Sequence, residues 1–239
     1  MQKENYLGVN VCCENEEMIF DNIDSIIKNK KPSFIVAINP EKIMKAACDE
    51  NLMKLLNSAA IQIPDGIGIV IASRIKGGKI KKRITGIDLM EKIIRRASQK
   101  SYRVFLLGAK PGTADEAAKI LSHKYPGLRI AGVMDGYFKD DNEAVSKITD
   151  AKPDILFVAM GSPKQEYWIT KNMEKLKVPL CMGIGGSLDV ISGNVKRAPE
   201  FMRKSGLEWL YRLFKEPWRY KRMAVLPLFL LKVIFKNKR

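Results

Sequence analysis

A chain of 239 residues, 46% of them hydrophobic and with Gly and Pro near ordinary frequency, can bury one sizeable core and is not broadly disordered. Its net charge of +16 is uneven: residues 196–239 hold thirteen Lys or Arg against three Glu, a net of +10, so the C-terminal part calls for an anionic partner. One histidine and four cysteines without a CxxC pair exclude multi-histidine metal sites.

In chain order, short β-rich runs alternate with amphipathic helical stretches to about residue 195. VNVCC reads as a strand before a helix near Glu16 to Lys28. Without a CxxC pair, Cys12, Cys13, Cys48 and Cys181 are expected to be buried thiols in a reducing compartment. The N-terminus lacks a charged segment followed by a long apolar run and does not read as a signal peptide. SFIVAIN ends at Asn39-Pro40, and a helix is expected from Glu41. AAIQIPDG reads as a strand ending at Asp65-Gly66, and LMEKIIRRASQK as a helix with Asp88 as its N-cap.

RVFLLGA runs into Pro111-Gly112 and a helix to about Tyr125, on which the lone His123 is expected to be solvated. RIAGVMDGY is a strand, and a helix follows around Glu143 to Thr149. DILFVAMG enters Ser162-Pro163 and a helix carrying Gln165, Glu166 and Trp168, the last read as core. VPLCMGIGG ends the series at Gly185-Gly186. Continuous apolar strands separated by helices predict an α/β fold: a Rossmann-like, mostly parallel sheet with helices on both faces. The strand ends repeatedly carry Gly, Asp or Asn, and in open α/β sheets ligands sit beyond the carboxyl ends of strands. Tight turns explain the glycines as well, and the acids less well. No GxGxxG or Walker P-loop is present, which argues against an ordinary dinucleotide or NTPase site.

After Arg197-Ala198-Pro199 the composition shifts to Phe201, Leu207, Trp209, Leu210, Leu213 and Phe214 among Arg and Lys, then to AVLPLFLLKVIF and KNKR. The expected organisation is a core over residues 1–195 and a basic, amphipathic helical appendage over residues 196–239. The run from Ala224 to Phe235 is interrupted by Pro227 and Lys232 and is too short to span a bilayer. Arg among aromatics also suits nucleic acid, but an amphipathic unit with a terminal apolar run fits an anionic membrane surface better, so nucleic acid is not the expected partner.

Eight segments in register resemble the WecG/TagA/CpsF glycosyltransferase family, most of all its TagA branch: AINPEKI, IPDGIGIV, KRITGIDLME, VFLLGA, VMDGYF, VAMGSPKQEYWI, MGIGGSLDVISGNVKRAP and LEWLYRLFKEPWRYKR. The resemblance implies inverting, β-1,4 transfer of N-acetylmannosamine from a UDP donor to undecaprenyl-diphosphate-linked N-acetylglucosamine, a wall teichoic acid linkage step. It implies a peripheral position on the cytoplasmic face of the membrane, where the lipid-linked acceptor lies. It also makes Asp65 the base that takes the acceptor's hydroxyl proton; the residue-level alternative is an Asx turn with Gly66.

No DxD motif is present, so no metal and no cofactor is expected, and fixed cations and backbone N–H groups would stabilise the leaving UDP. The family pattern raises Arg83 and Arg212 above the other cations; Arg219 and Arg222 of the appendage are further candidates for the diphosphate or the lipid. Thr85, Gly86 and Asp88 are expected beside the donor, with Gly66, Gly108, Asp135, Gly136, Gly185 and Asp189 lining its crevice. Asn39 and Gln165 can hydrogen-bond the sugar, and Glu166 would support Gln165. Two other readings stay open: the same fold with a uronate or another UDP-sugar, and a non-catalytic lipid- or nucleic-acid-binding module. Exposed apolar residues in the tail leave homo-oligomerisation open.

Overall fold

The computed structural model describes residues 1–215, 217, 220 and 224–236. A two-stranded antiparallel hairpin, β1 (Lys3–Tyr6) and β2 (Val9–Cys12), comes first. VNVCC is therefore a hairpin strand and not part of the main sheet. Its turn residues Leu7 and Gly8 both have positive φ, as tight hairpin turns require.

Helix α1 (Glu16–Asn29) shows how local chemistry sets an element. Asn15 caps it by accepting from the Met18 N–H, Glu16 and Glu17 occupy the first turn, and Lys28 the last. Ile19, Ile23 and Ile27, four residues apart, are its buried stripe.

Six strands form the main sheet: β3 (Ser33–Ile38), β4 (Ile61–Pro64), β5 (Arg103–Gly108), β6 (Arg129–Met134), β7 (Ile155–Ala159) and β8 (Leu180–Gly183). Their spatial order is β4-β3-β8-β7-β5-β6, and every pairing is parallel. Alternate residues feed the two faces: Phe34, Val36 and Ile38 of β3 point to one hydrophobic cluster, Ile35 and Ala37 to the other.

The connections sort by direction. Helices α2 (Pro40–Ala46), α3 (Glu50–Ser58), α7 (Asp141–Ala151) and α8 (Lys164–Leu176) lead toward the β4 edge and share one cluster. Helices α5 (Gly86–Lys100) and α6 (Thr113–Lys124) lead toward β6 and share the other. Right-handed crossovers impose this division. It makes the gap between β5 and β7 a switch point, since β5 continues to β6 and β7 to β8 in opposite directions.

Helix α4 (Ile67–Ile75) follows β4, and the five-residue α9 (Ser187–Ile191) follows β8. Two short helices, α10 (Glu200–Lys204) and α11 (Glu208–Lys215), precede the last, α12 (Val225–Lys236). The sequence marked Pro227 as an interruption; it lies in the first turn of α12, where a missing N–H breaks no helical hydrogen bond. Helix α12 packs on α2 and α4 and buries Phe229 and Val233. A Cβ on Gly68 of α4 would fall 2.4 Å from Leu226 and 2.6 Å from Pro40, so only glycine lets these three helices approach so closely. Among the described residues, no helix is long and apolar enough to cross a membrane.

Candidate active site

Residues following β3 and β4 lie side by side at the carboxyl edge. Ile38 pairs with Pro64, and the Asp65 N–H donates to the Ile38 carbonyl at 2.8 Å. Asn39 and Asp65 therefore leave adjacent strands at the same level. Asn39 caps α2, its Oδ1 accepting from the Lys42 N–H at 2.9 Å, which leaves its NH2 without a partner among the described residues. Gly66, at φ +92°, turns the chain from Asp65 into α4. The KRITG segment joins the same place, because the Ile84 N–H donates to the Pro64 carbonyl at 2.8 Å. Arg83 and Thr85 thus flank a residue tied directly to the strand end that carries Asp65.

Thr85 is the N-cap of α5, with Gly86 as its first residue. Asp88, which the sequence suggested as the cap, is instead the third helical residue and bonds the side chain of the cap. The Thr85 hydroxyl donates to Asp88 Oδ2 at 2.6 Å, and the Asp88 N–H donates back to Thr85 Oγ1 at 3.3 Å. Asp88 also meets Arg197 at 2.7 Å. Burial by itself would raise the Asp88 pKa, but the bonds from Thr85 and Arg197 and the nearby Arg203 charge outweigh it and hold the carboxyl below its ordinary range. Arg83 bonds the Arg203 carbonyl and lies 3.7 Å from Glu208, which in turn lies 3.8 Å from Arg197. Among the described residues, Arg83 and Arg197 thus face Asp88 and Glu208, with the Arg203 charge nearby, beside the Asp65 strand end. A cavity of about 330 Å³ opens along this cluster, walled by Arg83, Thr85, Asp88, Lys92 and Arg95 among others; Asp65 is not in its walls.

The other half of the edge is built mostly from backbone. Gly108 ends β5 at φ +117°, and a Cβ there would lie 2.4 Å from the Ala159 carbonyl oxygen of β7, so the switch point admits no side chain at this position. The Gly136 N–H donates to the Ala109 carbonyl at 2.9 Å, and Asp135 accepts from the Tyr137 N–H at 2.8 Å in an Asx turn. Asp189 sits in the first turn of α9, with its carbonyl accepting from the Val195 N–H.

Gln165 is 2% exposed and engaged inside the chain. Its Oε1 accepts from the Gly185 N–H at 2.9 Å, and its Nε2 donates to Glu166 at 3.0 Å. The sequence reading that Gln165 meets the sugar is thus set beside a structural role that the residue already fills. Trp168 is buried, as expected, and donates to Asp141 at 2.8 Å.

Several partners escaped the sequence reading. Lys42 pairs with Glu166 at 2.6 Å, and Arg197, Arg203 and Glu208 build the cationic cluster. Arg197 could have been noticed as a basic residue shortly after the GIGG strand end; the Lys42–Glu166 pairing has no local signal across 124 residues. Of the tail candidates, the Arg212 side chain and all of Arg219 and Arg222 lie outside the described residues. The cysteine expectation needs correction: Cys12 and Cys181 are buried, but Cys13 is half-buried and Cys48 exposed, because it lies in the α2–α3 connection. Burial pushes the Cys181 thiol up to about 12, which removes it as a nucleophile at neutral pH. His123 is exposed on the last turn of α6. Among the described residues, no cluster of three or more His, Cys, Asp or Glu could hold a metal ion.

Comparison with known proteins covers the whole chain. The profile of the glycosyl transferase WecG/TagA/CpsF family matches residues 4–239. An N-acetylglucosaminyldiphosphoundecaprenol N-acetyl-beta-D-mannosaminyltransferase of Bacillus subtilis is 37% identical over 239 residues, all of this chain and 93% of that protein. The protein of the same name from Bacillus spizizenii is 40% identical over 208 residues, 87% of this chain and 81% of its own. That from Staphylococcus aureus is 35% identical over 234 residues, 97% and 92% of the two chains.

Proposed function

The chain belongs to the WecG/TagA/CpsF family of glycosyltransferases, and from that membership and the geometry at the β3 and β4 ends we propose how it works as an N-acetylmannosaminyltransferase. It transfers N-acetylmannosamine onto diphosphoundecaprenol-linked N-acetylglucosamine, a step in assembling the wall teichoic acid linkage unit. The donor is the UDP-sugar, and the bond formed is β-1,4. The observation that carries the reading is the placement of Asp65 beside Asn39, with the KRITG segment bonded to the residue before it.

In the reaction, the Asp65 carboxylate accepts the proton of the acceptor hydroxyl as its oxygen attacks the anomeric carbon of the donor. The bond from that carbon to the UDP oxygen breaks on the opposite face, which inverts the configuration. Negative charge develops on the departing diphosphate. The Arg83 cluster and the helix N-termini gathered at the carboxyl edge supply a fixed positive field there, without the reorganisation that water would need. Arg212, Arg219 and Arg222 add cations from the C-terminal segment. Gly66, Gly86, Gly108, Gly136 and Gly185 let the nucleotide approach the backbone, with Asp135 and Asp189 at its rim.

The acceptor's polyprenyl chain stays in the bilayer, so the enzyme works at the membrane surface, on its cytoplasmic face. Exposed Phe201, Phe214, Leu228, Leu231 and Phe235 in the strongly basic C-terminal segment support this position. The test is UDP release by the purified full chain from UDP-N-acetylmannosamine, with and without a lipid-diphosphate N-acetylglucosamine acceptor, and the linkage of the product. Acceptor-dependent release and a β-1,4 disaccharide are expected. Preference for a uronate or another UDP-sugar would replace the donor, and no acceptor-dependent release from any UDP-sugar would overturn the reading.

A further inference from the structure

Lys42 and Glu166 form an ion pair that touches no solvent-facing chemistry yet joins three of the strand ends. Lys42 is 8% exposed and Glu166 2%. The Lys42 ammonium lies 2.6 Å from Glu166 Oε1 and donates to the Ala37 carbonyl of β3 at 2.8 Å. The same Oε1 accepts from Gln165 Nε2, and Gln165 Oε1 accepts from the Gly185 N–H beyond β8. A Cβ on Gly183 would fall 2.4 Å from Gln165 Nε2, so the amide is packed directly against β8. Lys42 also belongs to the turn that Asn39 caps. The relay thus runs from the Asn39 turn, through Glu166 and Gln165, to the GIGG loop.

Its polarity is determined at the Gln165 amide, while Glu166 Oε2 is buried without a hydrogen-bond partner among the described residues. The Gly185 N–H can only donate, so it needs the amide oxygen of Gln165. That leaves the amide NH2 facing Glu166, which must accept.

We infer that Lys42 is a positioning residue: by bonding Glu166 Oε1 at 2.6 Å it holds that oxygen where the Gln165 NH2 donates to it, and so fixes the Gln165 amide and through it the Gly185 loop that receives the donor. This rests on the proposed donor crevice at the strand ends. It differs from a role in stability alone, because it depends on an acceptor at position 166 and not merely on the absence of an unpaired charge.

Two double variants of the full chain separate these. In Lys42→Met/Glu166→Gln, the new amide offers an oxygen to Gln165 and leaves no buried charge. In Lys42→Met/Glu166→Leu, no buried charge remains, but Gln165 loses its acceptor. The donor KM of the first is expected within about threefold of the parent, and that of the second raised about tenfold or more, with kcat less affected and the acceptor KM unchanged. Lys42→Met alone should resemble the second. The backbone amide resonance of Gly185 in 15N-labelled protein provides a readout independent of turnover. It should stay at the parent position in the Gln variant and move in the Leu variant. Equal resonance positions in the two doubles would overturn the inference, even if the parent shows no transfer. A shifted resonance with equal donor KM would leave the relay intact but remove its role in donor binding, which also overturns the inference as stated.

Discussion

The two halves of the carboxyl edge are built from different materials. At β3 and β4 the candidate functional groups are side chains: Asn39, Asp65, Arg83, Thr85 and Asp88 gather around two adjoining strand ends. At β5, β7 and β8 they are backbone, with Gly108 and Gly185 at positive φ and Gln165 turned inward to hold a loop. The contrast suits a reaction that needs a base and cations at the reacting centre but mainly close approach and N–H groups around a nucleotide. A side-chain half should lose rate when altered; a backbone half should lose shape.

The largest effect is expected at Asp65. Asp65→Asn keeps the size but removes the proton acceptor, and kcat should fall roughly 100- to 10,000-fold while donor affinity changes little. Steady-state kinetics alongside calorimetric binding of UDP check this. Near-parental turnover would reduce Asp65 to a turn residue and dissolve the contrast.

Gly108→Ala probes the backbone half. The positive φ alone costs a non-glycine residue about 1–3 kcal/mol, and the new Cβ would press on the Ala159 carbonyl. Lower stability in urea and weaker UDP binding should appear together. A variant with unchanged stability would show that β5 and β7 can part at little cost.

Thr85→Ala is a smaller change at the junction of rate and shape. Loss of the cap should cost about 0.5–2 kcal/mol in denaturant unfolding, and should let the Asp88 carboxyl rise toward its ordinary value. Because the folded pKa of Asp88 is depressed, its stabilisation is present above the unfolded value, about 3.9, and disappears as pH falls through the folded pKa. In Thr85→Ala that acid loss should be smaller and be complete at a higher pH. Parallel stability–pH curves for parent and variant would detach Thr85 from the Asp88 charge.

The smallest effect is expected from chelation. If the arginine cluster and backbone stabilise the leaving diphosphate, transfer should continue in excess EDTA at close to its untreated rate. Strict dependence on added Mg²⁺ or Mn²⁺, measured as UDP release, would mean that a carboxylate site does this work instead.

Much of the fold can be read from local pattern. Apolar runs of strand length, separated by capped amphipathic stretches, determine a parallel sheet covered on both faces, and the strand-end Asn39, Asp65, Gly108 and Gly185 point to the carboxyl edge proposed for the ligand. Sequence also fixed the family, because eight segments keep their order along the chain. Tertiary structure decided what depends on distant neighbours. Hairpin strand β2 carries the same local β signal as the sheet strands, and only its pairing with β1 sets it apart. Asp88 and Thr85 are both good caps; which one caps depends on where the KRITG segment bonds to Pro64. Lys42 reads as an ordinary solvated helix lysine until a carboxylate 124 residues away arrives beside it. Periodicity and turn chemistry act within a few residues, so sequence specifies the elements and their ends. Burial and charge pairing arise only when elements pack, so the partners of Gln165, Arg83 and Lys42 had to wait for the fold.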